Sequence, residues 1–230
     1  MFIPLYDHNP LQHIKRQYMV ITIICVNVLV HLLSATLPVD ALRAVHVFYG
    51  ATPTILDSSD GTILSLLTYS FLHADWMHLL GNMLFLWVFG DNVEDATGHW
   101  KFLAFYCLVA ISGGIAHWIS ADQSYLIGAS GATSGIVAAY LVLHPRVKIW
   151  VLILMRIPLK LSAIWCLGAW ILFQIGMTLI SSGDNVAWAV HVAGIVAGVI
   201  LIPLFKRPEV KLFDTSPDGT VKKPSDRDKA

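Results

Sequence analysis

Apolar runs of roughly 20 residues, enough to cross the hydrocarbon core of a bilayer as a helix, recur along the chain. They fall at Met19 to Leu37, about Trp76 to Phe89 with apolar flanks upstream, Trp100 to Ser120, Leu126 to Leu143, Leu161 to Ile180 and Val186 to Phe205. This pattern predicts an all-α polytopic membrane protein with six transmembrane helices. Residues 149–159, IWVLILMRIPL, are also apolar, but Arg156 and Pro158 interrupt them, so the run reads as an interfacial connection feeding the fifth helix. Pro38 to Ile63 has no long apolar run and carries Pro53 and the Asp57 to Gly61 turn cluster. It reads as an external loop, long enough to suggest a function or packing on the membrane surface.

Composition sharpens the class. Only 13% of the residues are charged and 56% are hydrophobic, whereas a soluble domain carries about a quarter charged residues. A mean hydropathy of +0.67 argues against a water-soluble single domain. Lys plus Arg and Asp plus Glu number 15 each, so there is no basic field to hold a nucleic acid. Cys25, Cys107 and Cys166 lie apart in apolar runs without CxxC or Cys/His ligand spacing, which argues against a disulfide framework or a zinc site.

The distribution of positive charge orients the spans. With the N-terminus inside, Lys15, Arg16, Lys101, Arg146, Lys148, Arg156, Lys160 and every Lys and Arg from Lys206 onward fall on the cytoplasmic side, and Arg43 alone falls outside. Both termini are therefore expected in the cytoplasm. Lys15 and Arg16 precede an apolar stretch too long for a signal peptide, with no small-residue cleavage site after it, so the first span reads as retained. The chain divides into a cytoplasmic N-terminal segment, 1–18, a transmembrane domain, 19–205, and a tail, 206–230. The tail is too poor in apolar residues to bury a core and is expected to be disordered.

Polar groups inside spans are costly and mark candidate functional positions. They are Asn27, His31, His78, Asn82, His117, Ser130 with Thr133 and Ser134, Gln174 and His191. Most such groups in a bundle only hydrogen-bond a neighbouring helix, but depth separates these. Ser130, His191, His78 and Asn82 lie within the first turns of their helices, about 5 to 10 Å below the outer surface at roughly 1.5 Å per residue. They could meet in one layer.

His78 and Asn82, four residues apart, share a helix face. Ser130 sits in GASGATSG, Gly128 to Gly135, at a helix start where unpaired amides and the dipole favour a developing anion. The same string also makes a good small-residue packing face. His191 lies in AVHVAGIVAG, where Gly194 and Gly198 form a GxxxG. Small residues on both helices would let a serine hydroxyl approach an imidazole closely enough to lose its proton to it. The sixth span holds no acid, and the nearest is Asp184, so the expectation is a dyad rather than a triad.

FLHADWMHLLGNMLFLWVFGDNVED at 71–95, GASGATSG at 128–135 and AVHVAGIVAG at 189–198, in that order, resemble the rhomboid family of intramembrane serine proteases. The N-terminal PLYDHNP also resembles bacterial members. The resemblance implies that Ser130 is the nucleophile and His191 the general base and later acid. It implies an oxyanion hole made of His78, Asn82 and the backbone N–H of Ser130. His73 would support the loop fold, Gly128 and Gly131 belong to the serine motif, and Gly194 and Gly198 match helix-packing positions. Gly90 to Asp95 matches a cytoplasmic turn with a structural role.

The chain departs from the family pattern twice. Where many members carry a Trp-Arg pair in the first external loop, it reads TILSLLTY, and where some place a tyrosine to stack on the histidine, it has Ser134.

The expected activity is endoproteolysis of single-span transmembrane substrates near the outer membrane face, through an acyl enzyme, without cofactor or metal. No HExxH and no pair of intramembrane aspartates is present for the metal or aspartyl alternatives. The expected partners are transmembrane substrates and the lipid bilayer, and the expected location is a bacterial inner membrane. Two rivals stand beside this reading: a catalytically silent relative that binds membrane proteins, and a transporter relaying protons through His31, His78, His117 and His191.

Overall fold

A computed structural model describes residues 2–57, 63–120, 124–153, 156–180 and 187–214. The apolar runs fold as helices α1 (Tyr18–Ser34), α5 (Trp76–Thr97), α6 (His99–Trp118), α7 (Ser130–Leu143), α8 (Ala163–Ile180) and α9 (Trp188–Phe205). Among the described residues α6, α8 and α9 are long and apolar enough to cross a membrane, and α1 and α7 are shorter apolar helices. The periphery is apolar, with Trp165, Leu172 and Leu204 all exposed, as suits helices surrounded by lipid. Helix α7 is the hub. Every residue from Gly131 to Tyr140 is buried, and α5, α6, α8 and α9 all pack on it. Its Gly, Ala, Ser and Thr side chains let four helices close around one.

The segment expected as an external loop is largely helical: α2 (Val39–Tyr49), α3 (Pro53–Leu56) and α4 (Ser65–Thr68), the last running into a single 3₁₀ turn, Tyr69–Phe71. Residues 58–62 of the turn cluster lie outside the described residues. The segment is tied down at several points. Trp118 Nε1 donates to Asp57 Oδ1 at 2.8 Å, and Ala51 forms an antiparallel bridge with Leu126, just before the serine motif.

The chain is not wholly α. The run expected as an interfacial connection is a hairpin of β2 (Lys148–Ile153) and β3 (Ile157–Ser162), and the N-terminal β1 (Phe2–Asp7) completes an antiparallel sheet in the order β1-β2-β3. Trp150 pairs with Tyr6 on one side and Lys160 on the other. Alternation decides the strand. Val147, Ile149 and Val151 are buried while Lys148 and Trp150 are exposed, so a run that looked uniformly apolar has a period of two.

The acidic string Gly90–Asp95 also differs from expectation, lying not in a turn but in the last turns of α5, which runs to Thr97. Its carboxylates reach back to the N-terminal segment. Glu94 accepts from the amides of Met19 at 3.0 Å and Val20 at 2.8 Å, which belong to the first turn of α1 and have no helical partner. Asp95 accepts from the amides of Gln12, His13 and Ile14 at 2.7–3.0 Å. Residues 206–214, grouped by composition with the tail, lie against the same end of the bundle. Arg207 N donates to the Ala96 carbonyl, and the amides of Phe213 and Asp214 donate to Val142 and Leu143. Residues 215–230 of the tail lie outside the described residues.

Candidate functional site

At the end of the bundle opposite the sheet, the N-termini of α5, α7 and α9 converge. Asp75 caps α5, its Oδ1 accepting from the amide of His78 at 2.9 Å, which holds this carboxyl below its usual range. The cap fixes the first turn, and so the face that carries His78 and, one turn further, Asn82.

The strand-like loop before α7 passes directly under that face. Gly128 adopts φ +119°, a conformation open to glycine, and a methyl group there would lie 2.6 Å from His78 Nε2 and 3.8 Å from Asn82 Nδ2. The loop is held from three sides. Leu126 pairs with Ala51, the Gly128 amide donates to the Tyr69 carbonyl at 3.0 Å, and the Ala129 amide points at His73 Nε2, 3.5 Å away. His73 is buried, with its ring edge-on to that of His78 at 5.1 Å. Asn82 is buried too, and among the described residues its Nδ2 has no hydrogen-bond partner.

Ser130 opens α7, so its amide is one of the helix's first four and lacks a helical acceptor. Its carbonyl accepts from Thr133 Oγ1 at 3.2 Å and Ser134 Oγ at 2.6 Å. The Ser134 hydroxyl is thereby turned back into α7.

Helices α7 and α9 cross through their glycines. A Cβ at Gly194 would collide with the Gly131 carbonyl, one at Gly198 with the Gly135 carbonyl, and one at Gly135 would stand 2.6 Å from the Gly194 oxygen. His191 is three residues before Gly194 and Ser130 one before Gly131, so both belong to the same end of the crossing. Among the described residues no hydrogen bond joins them; such bonds often tighten only with substrate bound. His191 Nδ1 instead bonds Gln174 Oε1 of α8 at 2.8 Å, and the indole of Trp188 stands edge-on to the imidazole at 5.8 Å.

His73, His78, Asn82, Gly128, Ser130, Gly131, His191, Gly194 and Gly198 thus share one neighbourhood. Asn27 and His117 make their bonds elsewhere, while His31 lies close enough for its charge to bear on His73 and His78. His117 Nε2 bonds the Ser124 carbonyl at 2.9 Å, Asn27 Nδ2 donates to the Ile23 carbonyl of its own helix at 2.8 Å, and His31 packs against Trp76. Asp184 lies outside the described residues. Two side chains of the neighbourhood had no place in the sequence reading, Trp188 and Tyr69, and a third, Gln174, was named there only among the polar groups within spans. Tyr69 is fully buried, with its hydroxyl donating to the Ala110 carbonyl at 2.8 Å and lying beside Gly131. Gln174 was visible as a polar residue in a span, but nothing local pairs it with α9.

Comparison with known proteins places these residues in a family. A family model described as "Rhomboid domain" matches residues 60–208. The chain is similar to "Rhomboid protein 1, mitochondrial" of Saccharomyces cerevisiae, with 29% identity over 60% of this chain and 40% of that protein. It is similar to "RHOMBOID-like protein 12, mitochondrial" of Arabidopsis thaliana, with 24% identity over 61% of this chain and 46% of that protein. An uncharacterized protein of Mycobacterium bovis is 31% identical over 70% of this chain and 65% of its own length. The chain spans less than two thirds of the length of each of these relatives.

Proposed function

The chain belongs to the rhomboid family, and we propose that it is an intramembrane serine endopeptidase of six spans with both termini in the cytoplasm. It cleaves single-pass transmembrane substrates near the outer face of a bacterial inner membrane. The family also has inactive members, so the activity rests on this chain's own site. The observation that supports the reading is the glycine crossing of α7 and α9, near one end of which Ser130 and His191 both lie, together with a buried Asn82 Nδ2 that has no partner among the described residues.

In the mechanism, Ser130 Oγ attacks the scissile carbonyl as His191 Nε2 takes its proton. The oxygen that gains charge is met by the Ser130 amide, at the positive end of α7, and by the side chains of His78 and Asn82. His191 then gives its proton to the leaving amine, an acyl enzyme remains on Ser130, and water releases it. His73 and Gly128 hold the loop that aims the Ser130 amide, and Gly131, Gly194 and Gly198 hold the helix crossing. The reaction needs no cofactor. The acidic end of α5 and the sheet serve as the cytoplasmic scaffold.

The test is labelling of the detergent-solubilised protein with a fluorescent fluorophosphonate, which reacts with an activated serine. Wild type is expected to label, and Ser130→Ala and His191→Ala are not. Folded wild type that does not label would overturn the protease reading in favour of a silent binder of membrane proteins.

A further inference from the structure

We propose that Gln174 is a positioning residue for His191: its side-chain oxygen holds the imidazole in the tautomer that carries hydrogen on Nδ1, leaving the Nε2 lone pair free to take the serine proton. The inference rests on the protease reading for its consequence in activity, but its structural content stands apart from it.

The geometry is direct. His191 Nδ1 and Gln174 Oε1 are 2.8 Å apart, an ordinary length for N–H···O, and Gln174 is 4% exposed, so water does not compete for the bond. An amide oxygen only accepts, so the hydrogen between the two atoms belongs to Nδ1. A neutral imidazole has one N–H. With that hydrogen committed to Gln174, Nε2 is an acceptor and meets a serine hydroxyl as a base. The other tautomer would set two acceptors, Nδ1 and Oε1, against each other in a buried site.

The surroundings reinforce the assignment. Gln174 sits on α8, where its side chain is buried. Trp188 stands edge-on against the imidazole and restricts its rotation. Pinned through Nδ1 and walled by the indole, the ring has its remaining nitrogen available toward α7.

The choice of an amide over a carboxylate has a chemical consequence. A carboxylate at this position would stabilise the imidazolium and raise the pH at which the histidine becomes a base, whereas an amide orients it with little effect on its charge. Among the described residues, His78 is the titratable side chain whose charge bears on His191, and α7 presents only hydroxyls, those of Ser130, Thr133 and Ser134. A carboxylate introduced at position 174 would therefore be the sole anion beside the ring.

The experiment follows three forms of the full-length protein, wild type, Gln174→Leu and Gln174→Glu, by two readouts. One is the ¹⁵N resonance of His191, which reports which ring nitrogen carries hydrogen. The other is the rate of fluorophosphonate labelling from pH 5 to 9. Wild type is expected to carry hydrogen on Nδ1. Gln174→Leu should lose that preference and label more slowly, on the order of tenfold or more, since the wrong tautomer at the base is inactive. Gln174→Glu should keep the Nδ1 hydrogen, label at a rate close to wild type at high pH, and move the acid limb of its profile upward by about one unit.

A wild-type histidine with its hydrogen on Nε2 overturns the inference whatever the activity. So does Gln174→Leu labelling at the wild-type rate, or Gln174→Glu with an unmoved acid limb. Wild type that fails to label but shows an Nδ1 hydrogen that Gln174→Leu loses sinks the protease reading and sustains the positioning role.

Discussion

Gly194 of α9 lies against the backbone carbonyl of Gly131 in α7 with no room for a methyl group between them. The contact fixes how far Ser130 stands from His191, because each is within a turn of one of the two glycines. Gly194→Ala must therefore push the helices apart rather than merely crowd a side chain. Overpacking of this kind costs about 1–3 kcal/mol. Thermal unfolding in detergent should fall accordingly, and fluorophosphonate labelling should fall much further, since an added ångström at the nucleophile is severe. Gly176→Ala on α8, where nothing lies within 4 Å, is the control and should leave both unchanged.

Asn82 is expected to behave in the opposite way. Its Nδ2 is buried without a partner among the described residues, so Asn82→Ala removes no bond made by that donor and should shift the melting temperature little. If this donor meets the oxyanion, the same change removes about 2–4 kcal/mol of transition-state stabilisation, a loss on the order of 10²–10³ in turnover. Peptide cleavage at an unchanged rate would take Asn82 out of the mechanism.

What was legible in the sequence was what short-range spacing encodes. Ser130 at a helix start follows from the glycines around it, and His78 with Asn82 on one face follows from a spacing of four. The GxxxG at Gly194 and Gly198 announces a close crossing. What was not legible depends on contacts across the chain. The hairpin at 148–162 hid its alternation because Leu and Ile occupy both faces, and the third strand that completes its sheet begins at Phe2. The tyrosine missing one turn after Ser130 gave no hint that Trp188, one turn before His191, would stand against the imidazole. Gln174 could be seen as polar, but its partner 17 residues on is set by how α8 leans on α9.

The carboxylates at the end of α5 lead to a stability prediction. Asp95 takes the amides of Gln12, His13 and Ile14, and Glu94 takes two from the first turn of α1 and bonds His99 Nδ1 at 2.5 Å. A hydrogen bond contributes about 0.5–1.5 kcal/mol net, and an amide left without one adds a penalty unless water reaches it. Asp95→Ala should lower stability by about 2–3 kcal/mol, and limited proteolysis should then cut the released segment near residues 8–16. A protein as resistant as wild type would show that β1, the Asn92 bond to the Asn9 carbonyl and the Glu94 cap hold the N-terminus without Asp95.

Asp7 gives a pH dependence of defined sign. It lies in β1, 6% exposed, and accepts from the Tyr140 hydroxyl at 2.5 Å. Burial raises its pKa from 3.8 to about 6, against the smaller lowering effect of that hydrogen bond. Because the folded value is the higher one, the native state favours the protonated acid. Its contribution is complete below about pH 4 and is lost as pH rises through about 6, by up to roughly 3 kcal/mol. His144, at the end of α7, works against it in the same window. Burial lowers its pKa from 6.5 to about 4, so its contribution is present above pH 6.5 and fades as pH falls toward 4. Asp91 of α5, whose pKa burial and then the neighbouring Asp7 raise from 3.8 to about 8, adds a slope of the same sign as that of Asp7, so the melting temperature of wild type alone would blend slopes of opposite sign. The comparison with Asp7→Asn reads the ionisation of Asp7 together with its repulsion of Asp91, since asparagine keeps an acceptor for Tyr140 and cannot ionise. Asp7→Asn should match wild type near pH 4 and melt higher than wild type at pH 8. A difference that stays constant across that range would mean that Asp7 does not change its protonation there.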